Sequence, residues 1–182
     1  EAFVRVSPDF QLYTLTELAK VYVQLGRTVD ADVLLQPQLA QLDQRARTGL
    51  AWARGNRSNA LVVLGEAALA RGSAAEATQR FGAALTQMGT QGPHEMPDAW
   101  GRALAGLGDA ALLERNTDQA AQWLAQLVDF NRTRQVAPTD PGVVEATLLD
   151  ARLRQAQRGT AAVAELAGPA RGAPQPGGHC RG

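Results

Sequence analysis

Apolar residues recur at helical spacing through most of the chain, and the pattern is clearest over 64–85, LGEAALARGSAAEATQRFGAAL. There Leu64, Leu69, Phe81 and Leu85 alternate with the small residues Gly65, Ala68, Ala77 and Ala84. This predicts two short amphipathic helices joined by a tight turn, with small side chains where the helices approach and large ones between them. The same spacing returns upstream in Leu18, Ala19, Tyr22, Leu25, Gly26, Ala31 and Leu35. It returns downstream in Leu107, Gly108, Ala111, Ala120 and Leu124. The first small residues of these copies, Ala19, Gly65 and Gly108, lie 46 and 43 residues apart. A fainter fourth copy falls in 143–167, where Arg152 takes the small residue's place, 44 beyond Gly108, with Gly159 and Ala164 in register.

Proline supports this register independently. Pro8, Pro97 and Pro141 each precede the key position of their copy (Ala19, Gly108, Arg152) by 11 residues. Proline suits the first turn of a helix, where its missing N–H has no intrahelical partner to lose. The first hairpin is therefore expected over 9–25, a turn at Gly26-Arg27-Thr28, and a second helix to about Arg47. Pro37 falls inside that second helix, so a kink or a restart is expected there, at about 3 kcal/mol for an unrelieved interior proline. The second hairpin begins within 50–58, with Trp52 near its entry. It turns at Gly72-Ser73, where Ser73 and Glu76 match a capping box. The third runs from Pro97-Asp98 through a turn at Asn116-Thr117 to about Thr133. A fourth pair is expected after Pro141, its second helix short, over 160–167. The units fall at about 8–49, 50–92, 97–137 and 141–167, one helical domain over 1–167. The Pro/Gly-rich tail 168–182, with nothing to bury, is expected to be disordered.

The residues in LAKVYVQLGRTVDADVLL (18–35) and LGEAALARGSAAEATQRF (64–81) carry a family resemblance. Leu followed by Gly or Ala, then an aromatic or small residue, Leu-Gly-Arg, Ala and a bulky residue resembles the tetratricopeptide repeat. The spacing is similar to its long, roughly 42-residue variety, found in kinesin light chains and in bacterial multidomain kinases and regulators. The segment GPHEMPDAW (92–100) resembles the linker of those long repeats. The resemblance implies an all-α fold, a right-handed superhelical solenoid of stacked antiparallel hairpins. It also implies a non-catalytic scaffold that binds a protein or peptide on its concave face. The alternatives are the C-terminal repeat region of a bacterial serine/threonine kinase or of a transcriptional regulator, with the catalytic or DNA-binding domain elsewhere. None of the kinase motifs occurs in these 182 residues. The opening Glu1-Ala2-Phe3 reads as the continuation of something longer.

Composition changes this picture little. Aromatics are only 5% of the chain, and Ala and Gly supply the missing bulk, as closely packed helix pairs require. Eighteen basic residues balance eighteen acidic ones, which argues against nucleic acid as a direct partner, since phosphate neutralisation needs a basic surplus. Only Lys20 is a lysine, and the heavy use of Arg, Ala and Gly fits a GC-rich bacterial genome. No apolar run is long enough for a signal peptide or a membrane span. The expected location is cytoplasmic.

In the family the first helix of each pair lines the concave face, which makes its polar positions the candidates for partner contact. The column after the small residue reads Lys20, Glu66, Asp109, Leu153. Four residues earlier stand Thr16, Val62, Ala105 and Leu149, and seven earlier Tyr13, Asn59, Arg102 and Ala146. From these, Tyr13, Thr16, Lys20, Asn59, Val62, Glu66, Arg102 and Asp109 are the candidate partner-binding residues. A clamp for a C-terminal carboxylate needs clustered Lys, Arg and Asn. Only Asn59 and Arg102 approach that, and Glu66 and Asp109 repel an acidic tail, so a segment of basic character fits better. The plainer reading of the neighbouring apolar column, Val23, Leu69 and Leu112, is packing between repeats.

Catalytic chemistry finds no support. His94, in the linker, reads as a solvated loop histidine. His179 and Cys180 sit in a tail that cannot hold a nucleophile and base in register, and two adjacent ligands are too few for zinc. A lone cysteine makes no intrachain disulfide. No catalytic residue, cofactor or metal is expected. Two matches to the glycosylation triplet, at Asn56 and Asn131, carry no meaning in a bacterial cytoplasmic chain.

Overall fold

A computed structural model describes residues 8–89 and 95–166. They form seven helices and no strand: α1 (Pro8–Gln24), α2 (Thr28–Arg47), α3 (Ala51–Ala70), α4 (Ala74–Gly89), α5 (Pro97–Leu113), α6 (Thr117–Arg134) and α7 (Pro141–Leu166). The protein is all-α. Each helix packs on the next in the chain, and the odd-numbered helices also pack in order, α1 on α3, α3 on α5 and α5 on α7. Among the described residues the even-numbered helices do not touch one another. This leaves α1, α3, α5 and α7 as one layer and α2, α4 and α6 as the other.

The three hairpin turns are built alike. Gly26, Gly72 and Arg115 occupy equivalent positions and all have positive φ, 73°, 76° and 59°. In each turn two N–H groups close the preceding helix. Those of Gly26 and Arg27 reach Val23 and Tyr22 O, those of Gly72 and Ser73 reach Leu69 and Ala68 O, and those of Arg115 and Asn116 reach Leu112 and Ala111 O, all at 2.8–3.0 Å. This is the Schellman arrangement, which satisfies carbonyls the helix end leaves open. Asn116 then caps α6, its side chain accepting from the Gln119 N–H at 3.1 Å. The Glu76 carboxylate of the expected capping box faces Arg71 and Arg80 instead.

Close approach of helices depends on glycine where the sequence pattern placed it. A Cβ on Gly65 would meet the Phe81 ring at 2.7 Å, and one on Gly108 would meet Leu149 Cδ2 at 2.5 Å. The same end of the Phe81 ring also lies against Gly106, so one fully buried aromatic of α4 fills space left by glycines of α3 and α5. Arg57 of α3 adds a polar tie, bonding Asp43 of α2 and Gln87 of α4. Arg71 reaches Asp32 at 2.7 Å. Trp52 packs against the core beneath the Arg45 guanidinium, 5.5 Å from its ring centre.

Two expectations are corrected. Of the kink or restart expected at Pro37, the restart does not occur, because helix α2 runs through Pro37 as one element. Pro37 is exposed, where its ring meets solvent rather than a neighbouring helix. The fourth unit is a single 26-residue helix and not a hairpin, because α7 continues past Gly159 to Leu166. Nothing lies within 4 Å of the position a Gly159 Cβ would take, so no packed neighbour forces a turn at that glycine.

Candidate functional site

The layer of odd-numbered helices carries a groove. It comprises three adjoining depressions of about 490, 200 and 680 Å³, all sharing Glu66. Helical register puts the site there. The column after the small residue and the positions four and seven before it share one face of each first helix, and the packing of α1 on α3, α3 on α5 and α5 on α7 brings parts of that face together.

Two ion pairs cross it from one first helix to the next. Arg102 of α5 donates to both carboxylate oxygens of Glu66 of α3, Nε to Oε1 at 2.8 Å and Nη2 to Oε2 at 2.6 Å. Arg152 of α7 donates to Asp109 of α5 at 2.6 Å. The first is bidentate and partly buried, the geometry in which an arginine–carboxylate pair is most specific. Lys20 pairs with Glu17 on its own helix at 3.4 Å.

Glu145 of α7 stands apart. It lines the groove beside Arg102, Lys20 and Asp98 and has no hydrogen bond or ion pair within 4 Å among the described residues. Burial raises its pKa to about 7. The Arg102 charge opposes that shift, while Glu66, Asp98 and Asp109 add to it. Burial is the leading cause, and the nearest cation, Arg102, is shared with Glu66 rather than bonded to Glu145.

Of the residues predicted from sequence, Lys20, Glu66, Arg102 and Asp109 come together on this groove. Tyr13 is exposed on α1 and Asn59 half-buried on α3. Thr16 and Val62 are buried and offer a partner no surface. The Thr16 hydroxyl donates to Leu12 O at 3.0 Å, and Val62 belongs to the core. That column, with Leu149, packs helices together. The sequence reading missed Glu145 and the pairing role of Arg152. A signal was present: Glu145 falls in register with Leu12, Ser58 and Gly101, all buried, and a charge in such a column needs a reason.

His94, His179, Cys180 and the tail 168–182 lie outside the described residues. Among the described residues no three His, Cys, Asp or Glu side chains are grouped to hold a metal ion, and no helix is long and apolar enough to cross a membrane. Compared with family models, curated proteins and solved structures, the chain gives no match.

Proposed function

We propose that this chain is a non-catalytic interaction scaffold, a tetratricopeptide-like superhelical stack that binds a basic segment of another protein along the groove of α1, α3, α5 and α7. The observation that carries the reading is Glu145. It is a half-buried carboxyl with no ion pair of its own among the described residues, facing a cavity of about 490 Å³ whose cations already have partners: Arg102 is held by Glu66, Lys20 by Glu17 and Arg134 by Asp140. A lysine or arginine of a bound segment supplies the missing charge, and Leu69, Leu112 and Ala156 offer its apolar side chains a strip to lie on. The identical hairpin turns and the stacking of alternate helices support the repeat reading. Glu66 and Asp109 are matched by Arg102 and Arg152, so the preference of charge rests on Asp98 and Glu145, which have no ion pair among the described residues.

The test is fluorescence anisotropy with two labelled amphipathic helical peptides of equal hydrophobicity, one rich in lysine and arginine and one rich in glutamate. The basic peptide is expected to bind, and Glu145→Gln to weaken it. Equal binding of the acidic peptide, or indifference to Glu145→Gln, defeats the reading.

A further inference from the structure

A second concavity lies away from the groove. It opens between α6 and α7, holds about 540 Å³, and shares no lining residue with the three depressions of the groove. Leu124 and Val128 of α6 and Val143 and Ala146 of α7 make its apolar walls. One hairpin earlier the matching positions of α4 and α5 are covered. There Phe81, Met88, Ala103 and Gly106 stand where the cleft has Leu124, Asn131, Thr147 and Asp150, and all four are buried. At this junction the register exchanges a large ring for a leucine, and a core methionine for an amide.

That amide is the unusual feature. Asn131 lines the cleft yet is only 6% exposed, and neither Oδ1 nor Nδ2 has a hydrogen-bond partner among the described residues. The Gly142 N–H, close by in α7, is committed to Asp140 Oδ1 at 2.9 Å. A Cβ on Gly142 would stand 2.8 Å from Asn131 Oδ1, so glycine keeps α7 from crowding the amide. The charges around the cleft are matched, Arg154 with Asp150 and Arg132 with Asp129. The Thr147 hydroxyl donates to Val143 O at 2.9 Å. What Asn131 lacks is an uncharged partner that offers a donor and an acceptor together.

We propose that the α6–α7 cleft binds a small, neutral, mostly apolar molecule with an amide edge. A lactam or primary carboxamide has it: the C=O accepts from Asn131 Nδ2 and the N–H donates to Oδ1. The volume is that of a small-molecule pocket, and apolar walls with a few placed polar groups are how such pockets orient a ligand. A protein helix laid over the cleft fits less well, because its own amides are satisfied internally and Asn131 would stay unpaired. The amide destabilises the empty protein and is satisfied when the ligand is bound. This site goes beyond the basic-segment groove and does not depend on it.

The experiment is a nitrogen-15 NMR titration of the full chain with two probes, the lactam carbostyril and its N-methyl analogue, which lacks the N–H. Carbostyril is expected to bind and to shift the side-chain NH2 signals of Asn131. The analogue should bind about 10-fold more weakly. Asn131→Leu keeps the size of the side chain and should remove the difference between the probes, with the circular-dichroism melt at or above that of wild type. The comparison of probes on the wild type needs no variant, so it stands even if the leucine disturbs the fold. Failure of carbostyril to bind the full chain overturns the proposal, as does equal binding of the two probes. Shifts confined to the groove, or an Asn131→Leu protein that still tells the probes apart, overturn it as well.

Discussion

Gly65 of α3 and Phe81 of α4 pack so closely that a methyl group on the glycine would stand 2.7 Å from Cε1 of the ring. Gly106 of α5 crowds the same end of the ring, so the ring tip depends on glycine in both α3 and α5. Gly65→Ala and Gly106→Ala should each destabilise the fold by ~1–3 kcal/mol, the range of core overpacking. Gly82 is also helical, but nothing lies within 4 Å of its would-be Cβ. Gly82→Ala should therefore stabilise by ~0.5–1 kcal/mol through chain entropy alone. Urea denaturation of the three variants reads opposite signs if close approach is the reason for the buried glycines. A common sign for all three would sink that explanation.

Arg115 closes α5 at φ 59°, in the position held by Gly26 and Gly72 in the other two turns. A residue with a Cβ pays about 1–2 kcal/mol for the left-handed conformation. The hydrogen bonds of this turn match those of the glycine turns, so no compensating geometry is evident. Arg115→Gly is expected to raise stability by ~1 kcal/mol. Thermal unfolding checks it, with Gly72→Arg as the reverse experiment and the opposite shift expected.

Asn131 is buried in α6 with neither Oδ1 nor Nδ2 finding a hydrogen-bond partner among the described residues. Its counterpart one repeat earlier is Met88, which is fully buried in the core. A buried amide without partners costs ~1–3 kcal/mol, and Asn131→Met restores the side chain that the register asks for. The variant should be ~1 kcal/mol more stable by urea denaturation. A loss of stability instead would mean that the amide has a partner, such as a bound water, that the protein alone does not reveal.

The contrast between Gly65 and Arg115 explains how much of this molecule was legible in its sequence. Small and large apolar residues repeat because helix packing demands it at every junction, so the hairpins, the turns and the all-helical class could be read from spacing. Single exceptions obscure the pattern. Arg115 takes a glycine's conformation with no sequence mark of it. At α7 Gly159 stands in the register of Gly26 and Gly72, which suggested a turn where there is one long helix. On the groove, Glu66, Arg102 and Asp109 were found because they sit on the open side of a first helix. Thr16 and Val62 were misplaced because register alone does not say on which side of a helix the neighbouring layer lies. Glu145 was missed because its setting depends on Arg102 being occupied by Glu66, a contact across 36 residues.

The Glu66–Arg102 pair should be felt at Glu145. Removing the negative charge with Glu66→Gln takes away one of the influences that raise the Glu145 pKa and frees Arg102, whose charge lowers it. The Glu145 carboxyl should then titrate below its wild-type value of about 7, as read by carbon-13 NMR of the side chain. An unchanged titration would mean that burial alone, without the neighbouring charges, sets this group.

Glu145 also ties stability and binding to pH with opposite signs. The folded protein holds this proton more tightly than the unfolded chain, whose carboxyl keeps its ordinary value of 4.5. The stabilisation is whole below that value and is lost as pH rises through about 7. Relative to wild type, Glu145→Gln should melt alike near about pH 4 and be more stable near about pH 8, by ~1 kcal/mol once the group's partial exposure is allowed for. Binding of the basic peptide runs the other way, because a cation prefers the ionised carboxylate. Its affinity for wild type should strengthen across the same interval, and the glutamine variant should lose that trend. A general loosening of the fold at high pH would weaken both quantities together. Only a carboxyl that is both desolvated and ligand-facing separates them, so melts and anisotropy titrations on the same two proteins decide the assignment.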